Sequence, residues 1–170
     1  MKGKIIVVDI EKCLGCHSCR LQCAMAHSTF KTMAEAATAD KKPVSRIIVE
    51  QIDDWAVPFH CRHCDDAPCM AICPSNAITR QHDGAPVVLD SGRCIGCHAC
   101  ILACPFGVIK QAPDTKNLVK CDLCIDRLNE GQMPACVEAC PTKAVKYISV
   151  DEYNSAKRRE HVEKYIATLD

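Results

Sequence analysis

Large side chains are scarce in this 170-residue chain: one Trp, three Tyr and three Phe leave little to fill the middle of a conventional core. An excess of either charge is missing as well. Lys plus Arg and Asp plus Glu both number 21, so no basic surplus exists to hold phosphates, and nucleic-acid binding is not expected. No stretch approaches the roughly 18 consecutive apolar residues of a membrane helix, so no membrane span is expected. The N-terminus, MKGKIIVVDIEKC, offers only a brief apolar run ending in Asp9, Glu11 and Lys12. It lacks a signal-peptide core, a cleavage site and a twin-arginine pattern, and a cytoplasmic location is the expectation. A chain of this length is expected to form one compact domain, or two small halves.

What is abundant is cysteine, with 16 residues. In a secreted chain that content would suggest a disulfide scaffold, but in a reducing compartment clustered thiols more often bind metal. The cysteines fall into four groups of four with none left over: 13, 16, 19, 23; 61, 64, 69, 73; 94, 97, 100, 104; and 121, 124, 136, 140. The first and third groups read C-x2-C-x2-C-x3-C, the second C-x2-C-x4-C-x3-C and the fourth C-x2-C-x11-C-x3-C.

The likeness between groups one and three extends upstream. VVDIEKC and VLDSGRC both carry an aspartate (Asp9, Asp90) four residues before the first cysteine and a base (Lys12, Arg93) directly before it, which marks an internal repeat. A second echo, CPSNAI, CPFGVI and CPTKAV, begins at Cys73, Cys104 and Cys140 and predicts a proline-initiated turn leading to a short apolar element. Strands are expected at KIIVVDI, SRIIVEQI, PVVLD, NLVK and VKYISV, and short helices over Cys19 to Ala26 and Cys100 to Pro105. The Ala-rich stretch 24–45 is expected to be partly helical or mobile. The last twenty residues predict a helix whose ragged stripe of Tyr153, Ala156, Val162, Tyr165, Ile166 and Leu169 caps the fold or docks a partner.

Three cysteines two residues apart wrap three corners of a cubane iron-sulfur cluster, and in the C-x2-C-x2-C-x3-C-P pattern the fourth ligates another cluster. Four such groups predict four [4Fe-4S] clusters. Gly15 and Gly96 would let the backbone pass close to inorganic sulfide. His17, His98, His60 and His63 lie beside these cysteines, but each iron already has a thiolate, so they are expected behind the ligands or at the surface. Zinc is the competing reading, and group four alone could serve it; three cysteines within seven residues do not suit it. The clusters would add roughly −8 of charge to a neutral chain. Lys12, Arg93 and Lys120, each just ahead of a first cysteine, are therefore candidates for raising local potentials. Metal loading and folding are expected to be one event, with the metal-free chain largely unfolded.

The complete pattern, from Cys13 to Val145, resembles the four-cluster ferredoxin-like electron-transfer subunits that accompany dimethyl sulfoxide reductase, formate dehydrogenase, formate hydrogenlyase, CO dehydrogenase and tungsten aldehyde oxidoreductase. That resemblance implies an α+β chain of two pseudo-symmetric bicluster ferredoxin-like folds, with small antiparallel sheets and short helices around the clusters. They would occupy residues 1–150, with an outer half of about 1–45 and 115–150, an inner half of about 46–114, and a C-terminal helix over 151–170. It further implies four ligand sets that spacing leaves open: Cys13, Cys16, Cys19 with Cys140; Cys121, Cys124, Cys136 with Cys23; Cys61, Cys64, Cys69 with Cys104; and Cys94, Cys97, Cys100 with Cys73. Group one ends CAMAH rather than C-P, a departure the family also shows.

With every iron held by a thiolate, no open site remains for substrate, so the chain is expected to relay single electrons rather than catalyse. Its expected partner is a catalytic oxidoreductase subunit, a molybdenum or tungsten pterin enzyme ahead of CO dehydrogenase or hydrogenase, with a ferredoxin or another Fe-S or flavin subunit on the far side. An Fe-S redox sensor or structural adaptor is the alternative function. Trp55, the single tryptophan, is a candidate for either an interface anchor or the core.

Overall fold

A computed structural model describes residues 3–113 and 115–169; Met1, Lys2, Asp114 and Asp170 lie outside it, at the edges of the expected strand, half and helix boundaries. Eight short strands form, among the described residues, four two-stranded antiparallel sheets. β1 (Lys4–Val8) pairs with β8 (Val145–Ser149), β2 (Ile48–Ile52) with β3 (Trp55–Phe59), β4 (Ile78–Thr79) with β5 (Val88–Leu89), and β6 (Lys110–Gln111) with β7 (Leu118–Val119). Each sheet joins the exit of one cysteine group to the approach of another, and β1 with β8 closes the circuit. The internal repeat is visible in the bonds that end two of these sheets. The Asp9 N–H donates to the Ala144 carbonyl and the Asp90 N–H to the Ala77 carbonyl, both at 2.8 Å.

Among the described residues, seven α-helices and one 3-10 turn (Ile10–Lys12) supply the rest: α1 (Ser18–Ala26), α2 (Met33–Thr38), α3 (Pro68–Ala71), α4 (Ala99–Ala103), α5 (Ile125–Asn129), α6 (Ala135–Glu138) and α7 (Val150–Ile166). In α1, Cys19 and Cys23 stand one turn apart and share the buried face. α2, inside the Ala-rich stretch, starts on a capping box in which Thr32 and Glu35 satisfy each other's backbone N–H groups.

Buried apolar residues gather in two main cores. One joins Ile6, Ile47, Val145 and Tyr147 to Cys19, Cys23 and Cys136 of groups one and four. The other joins Ile78, Val87, Ile109 and Leu118 to Cys69 and Cys100 of groups two and three. A smaller cluster of Cys61, Val108 and Cys121 bridges them. α1 packs on α6 in the first core and α3 on α4 in the second. Cysteine thus fills the space that the missing aromatics leave.

Three features differ from expectation. β3 forms although its pattern is interrupted by Pro58, which a two-stranded ribbon tolerates because one edge of each strand needs no ladder bond. β4 and β6 are two residues long, too short for a period to register. α7 does not cap a core: it buries no residue, and Tyr165 is 63% exposed. A Ser149–Glu152 capping box starts it, its first turn lies against β8 and shares a cavity with β1 through Val150 and Tyr153, and the pairs Lys157–Glu160, Lys164–Glu160 and Arg159–Glu163 sustain the rest.

Candidate metal centres

Each cysteine loop is shaped by left-handed backbone. In CLGCHSC, Gly15 has φ 65° and His17 φ 58°; in CIGCHAC, Gly96 has φ 69° and His98 φ 64°. Alternating right- and left-handed residues turn successive N–H groups towards one concavity, which receives anionic sulfur. In group two the left-handed residue is His63, whose N–H donates to Cys61 Sγ at 3.4 Å; in group four Leu123 does the same for Cys121 Sγ at 3.4 Å. The histidines thus shape the loops. His17 and His98 are exposed and His60 is buried. Burial, helped by the Lys120 charge, pulls His63 down to about 3; its ring is neutral and Nδ1 accepts the Val87 N–H at 3.0 Å.

The three C-P turns are alike in detail. Asn76, Gly107 and Lys143 each take a left-handed φ (49°, 61° and 54°) and donate back to the carbonyl of Cys73, Cys104 and Cys140 at 3.2, 3.3 and 3.2 Å. These turns lead into β4, β6 and β8, after swinging the fourth cysteine away from its own group. Cys23 has no such turn; it stays in α1, where the Arg46 N–H donates to its Sγ at 3.2 Å.

Where the sulfurs go follows from this. One cavity is lined by Cys13, Cys16, Cys19 and Cys140, beside Gly15 and Pro141. A second is lined by Cys61, Cys64, Cys69 and Cys104, beside Pro105 and Val108. Burial pushes the Cys136 thiol far up, with Cys121, Cys23 and Cys124 adding to the effect. It also raises Cys100, whose thiol neighbours are Cys73, Cys94 and Cys69. Cys19 rises to about 11 and Cys121 to about 12, again mainly by burial. All sixteen are free thiols. Without metal such buried thiols stay protonated, so metal must displace their protons to bind.

The residues fit iron-sulfur clusters. The donors around both cavities are predominantly sulfur, the soft ligand such clusters require. Lys120 adds a second observation. It is 2% exposed, donates to the carbonyls of Val87 and Cys121, and forms no ion pair among the described residues. An isolated buried ammonium is costly, and the Lys120 charge favours the thiolates of Cys69 and Cys121, whose negative charge would offset it in a loaded site. Lys12 and Arg93 differ. They are 57% and 64% exposed and pair with Asp9 and Asp90 at 3.0 and 3.6 Å.

One constellation escapes sequence reasoning. His27, one helical turn after Cys23, places Nε2 3.0 Å from Asp122 Oδ1, and Asp122 Oδ2 accepts from the Arg46 guanidinium. Burial works against the charges, yet the bond to Asp122 and the thiols of Cys124 and Cys23 push His27 up to about 12. His27 and Arg46 in turn hold the Asp122 carboxyl well below its usual range against burial. His27, Asp122 and Cys124 are close enough to share a metal ion, but the guanidinium already on Asp122 opposes a cation there. The available signal was the four-residue step from Cys23 to His27 along a helix. Trp55 is 49% exposed at the β2–β3 hairpin, so the core reading does not hold for it.

Comparison with known proteins gives a consistent result. The 4Fe-4S dicluster domain family matches residues 53–150, and the 4Fe-4S binding domain family matches residues 10–26. An iron-sulfur protein of Rhodospirillum rubrum is 44% identical over 166 residues, covering 91% of this chain and 86% of that protein. YsaA of Escherichia coli K12, a protein named for electron transport, is 39% identical over 160 residues, covering 93% and 98%. The B subunit of the anaerobic dimethyl sulfoxide reductase of Escherichia coli K12 is 34% identical over 150 residues, covering 85% and 73%.

Proposed function

We propose, from the premise that this chain belongs to the 4Fe-4S dicluster family of iron-sulfur electron-transfer subunits, that it holds four [4Fe-4S] clusters and relays single electrons between a catalytic oxidoreductase subunit and a second redox partner. The ligand sets are Cys13, Cys16, Cys19, Cys140; Cys121, Cys124, Cys136, Cys23; Cys61, Cys64, Cys69, Cys104; and Cys94, Cys97, Cys100, Cys73. The observation that carries this reading is the lining of one cavity by three cysteines of group one and the last of group four, and of another by three of group two and the last of group three. Two cores, one built on groups one and four and the other on two and three, support a pseudo-symmetric outer and inner half divided near residues 45 and 115.

When bound, each cluster accepts and returns one electron while all its irons stay ligated by thiolate. The chain's own part is electrostatic and steric. Backbone N–H groups of His63, Leu123 and Arg46 donate to ligand sulfurs, which favours the thiolate. Apolar neighbours such as Val87, Val108 and Val145 keep water from the inner faces. Cys16 and Cys97 are exposed, which brings one edge of each repeated cradle to the surface, where a partner's redox centre can approach. The protein is an electron-transfer subunit and not an enzyme in itself.

The partner we favour is a molybdenum or tungsten pterin enzyme, in keeping with the dimethyl sulfoxide reductase subunit among its relatives. A CO dehydrogenase, a hydrogenase, and a ferredoxin or flavin subunit at the other end are the alternatives, and the cytoplasm is the proposed location. No helix among the described residues is long and apolar enough to cross a membrane. Anaerobic purification with co-purifying subunits tests the proposal. About sixteen irons and sixteen sulfides per chain are expected, together with molybdenum or tungsten in the partner. Stoichiometric zinc, or far less iron, overturns the cluster reading; nickel reassigns the partner.

A further inference from the structure

We infer that His27, Asp122 and Arg46 form a net-positive brace that raises the reduction potential of one cluster alone, the one whose ligand set includes Cys23 and Cys124. The inference rests on that ligand set. Its first element is hydrogen-bond direction. His27 Nδ1 lies 2.7 Å from the Cys23 carbonyl oxygen and Nε2 3.0 Å from Asp122 Oδ1. Both oxygens can only accept, so both ring nitrogens carry hydrogen and the ring is an imidazolium.

The second element is what holds it there. Asp122 accepts from His27 and from the Cys124 backbone N–H, at 3.0 Å each, on Oδ1, and from the Arg46 guanidinium on Oδ2. Arg46 is anchored in turn, because its own N–H donates to Cys23 Sγ. The His27, Asp122 and Arg46 side chains are 10%, 16% and 26% exposed, so water screens the group only in part. Two cations against one anion leave one net positive charge.

The third element is placement. His27 Nδ1 stands 3.7 Å from Cys23 Sγ and Nε2 3.9 Å from Cys124 Sγ, so the ring bridges two sulfurs contributed by different groups. An electron added to the site between them makes it more negative, and a cation held at this distance stabilises that state more than the oxidised one. The other three fourth cysteines, Cys73, Cys104 and Cys140, are each followed by proline and leave their groups at the turn, so the helical step that brings His27 back has no counterpart. Lys120 sits between the sites of Cys69 and Cys121 and acts on both; the brace acts on one and sets it apart from its neighbour.

The test is an anaerobic dithionite titration of the iron-loaded full-length protein, each cluster followed by its electron paramagnetic resonance signal. In His27→Gln and in Arg46→Gln, one midpoint falls by about tenfold in the reduction equilibrium, or about 59 mV for one electron, while iron content and the other three midpoints hold. Arg46→Lys keeps the charge and restores the midpoint, which a purely structural role does not predict. His161→Gln, exposed on α7 and outside every cysteine group, shifts none. If His27→Gln loads less iron, Arg46→Gln decides alone: the inference is overturned if its midpoints all stay in place. Cys124→Ala separates the inference from its premise. Loss of the very signal that Arg46→Gln shifts supports both, loss of a different signal overturns the brace and leaves the ligand set standing, and no loss overturns the ligand set.

Discussion

CLGCHSC at Cys13 to Cys19 and CIGCHAC at Cys94 to Cys100 are nearly the same words, and the chain gives them nearly the same backbone. In both, glycine and histidine are left-handed, the middle cysteine is exposed, the third is buried, and an aspartate four residues upstream pairs with the preceding base. Beyond the loop they diverge. The first runs into a nine-residue helix that carries Cys23 and ends beside His27; the second runs into a five-residue helix that stops at Cys104 and turns on Pro105. The absent side chain of Gly15 would meet only the Ala56 methyl at 3.2 Å, whereas that of Gly96 would meet the Lys116 backbone oxygen at 2.9 Å. A repeated phrase fixes a local shape, and its surroundings decide what that shape costs and touches.

Removing iron should erase the comparison altogether. With eight buried thiols and few aromatics in the interior, chelation is expected to abolish cooperative thermal unfolding in both halves, followed by near-ultraviolet circular dichroism. A metal-free chain that still melts cooperatively contradicts this. Next in size, Cys136→Ala is expected to lose its cluster whole, about a quarter of the iron, because the site is buried and admits no replacement ligand. Cys16→Ala, at the exposed edge of its cradle, should lose only about one iron. Iron and sulfide analysis separates the two outcomes, and equal losses would remove the distinction between exposed and buried cradles.

Smaller effects sharpen the contrast between the repeats. Gly15→Ala is expected to cost about 1–2 kcal/mol for its left-handed backbone. Gly96→Ala should cost about 2–4 kcal/mol, because a backbone oxygen must also move. Thermal midpoints of the loaded variants give the comparison. Among the three bases, Lys120→Met should lower two cluster midpoints, on the order of 60 mV each, while Lys12→Met shifts none, because water and Asp9 already screen Lys12. The smallest expected change is in Ser149→Ala. Losing the cap weakens α7 by about 1 kcal/mol, visible as reduced helical circular dichroism with iron content unaltered.

Much of the site was legible because covalent spacing enforces it. Two residues between cysteines, a glycine between the first two, and C-P before a short strand are local instructions, and they appear as left-handed loops and equivalent turns at Cys73, Cys104 and Cys140. Strands rich in β-branched residues were legible for the same reason; β4 and β6, two residues each, were legible only as short apolar elements after C-P, and β3 was obscured by its proline. The C-terminal helix was legible from its ragged apolar stripe, but that stripe covers no core, and ion pairs and a cap stabilise the helix instead.

By itself, then, the order of residues determined the chemistry of the donors, their number, and the curl of each loop around them. Only the tertiary structure decided which base is buried, since Lys12, Arg93 and Lys120 hold equivalent places before a cysteine and only Lys120 is folded between two cores. The same holds for Asp122, which meets His27 across 95 positions of sequence and Arg46 across 76. Loop shape follows from backbone preferences acting over a few residues, whereas burial and charge pairing depend on which distant segments share a core, and no local pattern records that.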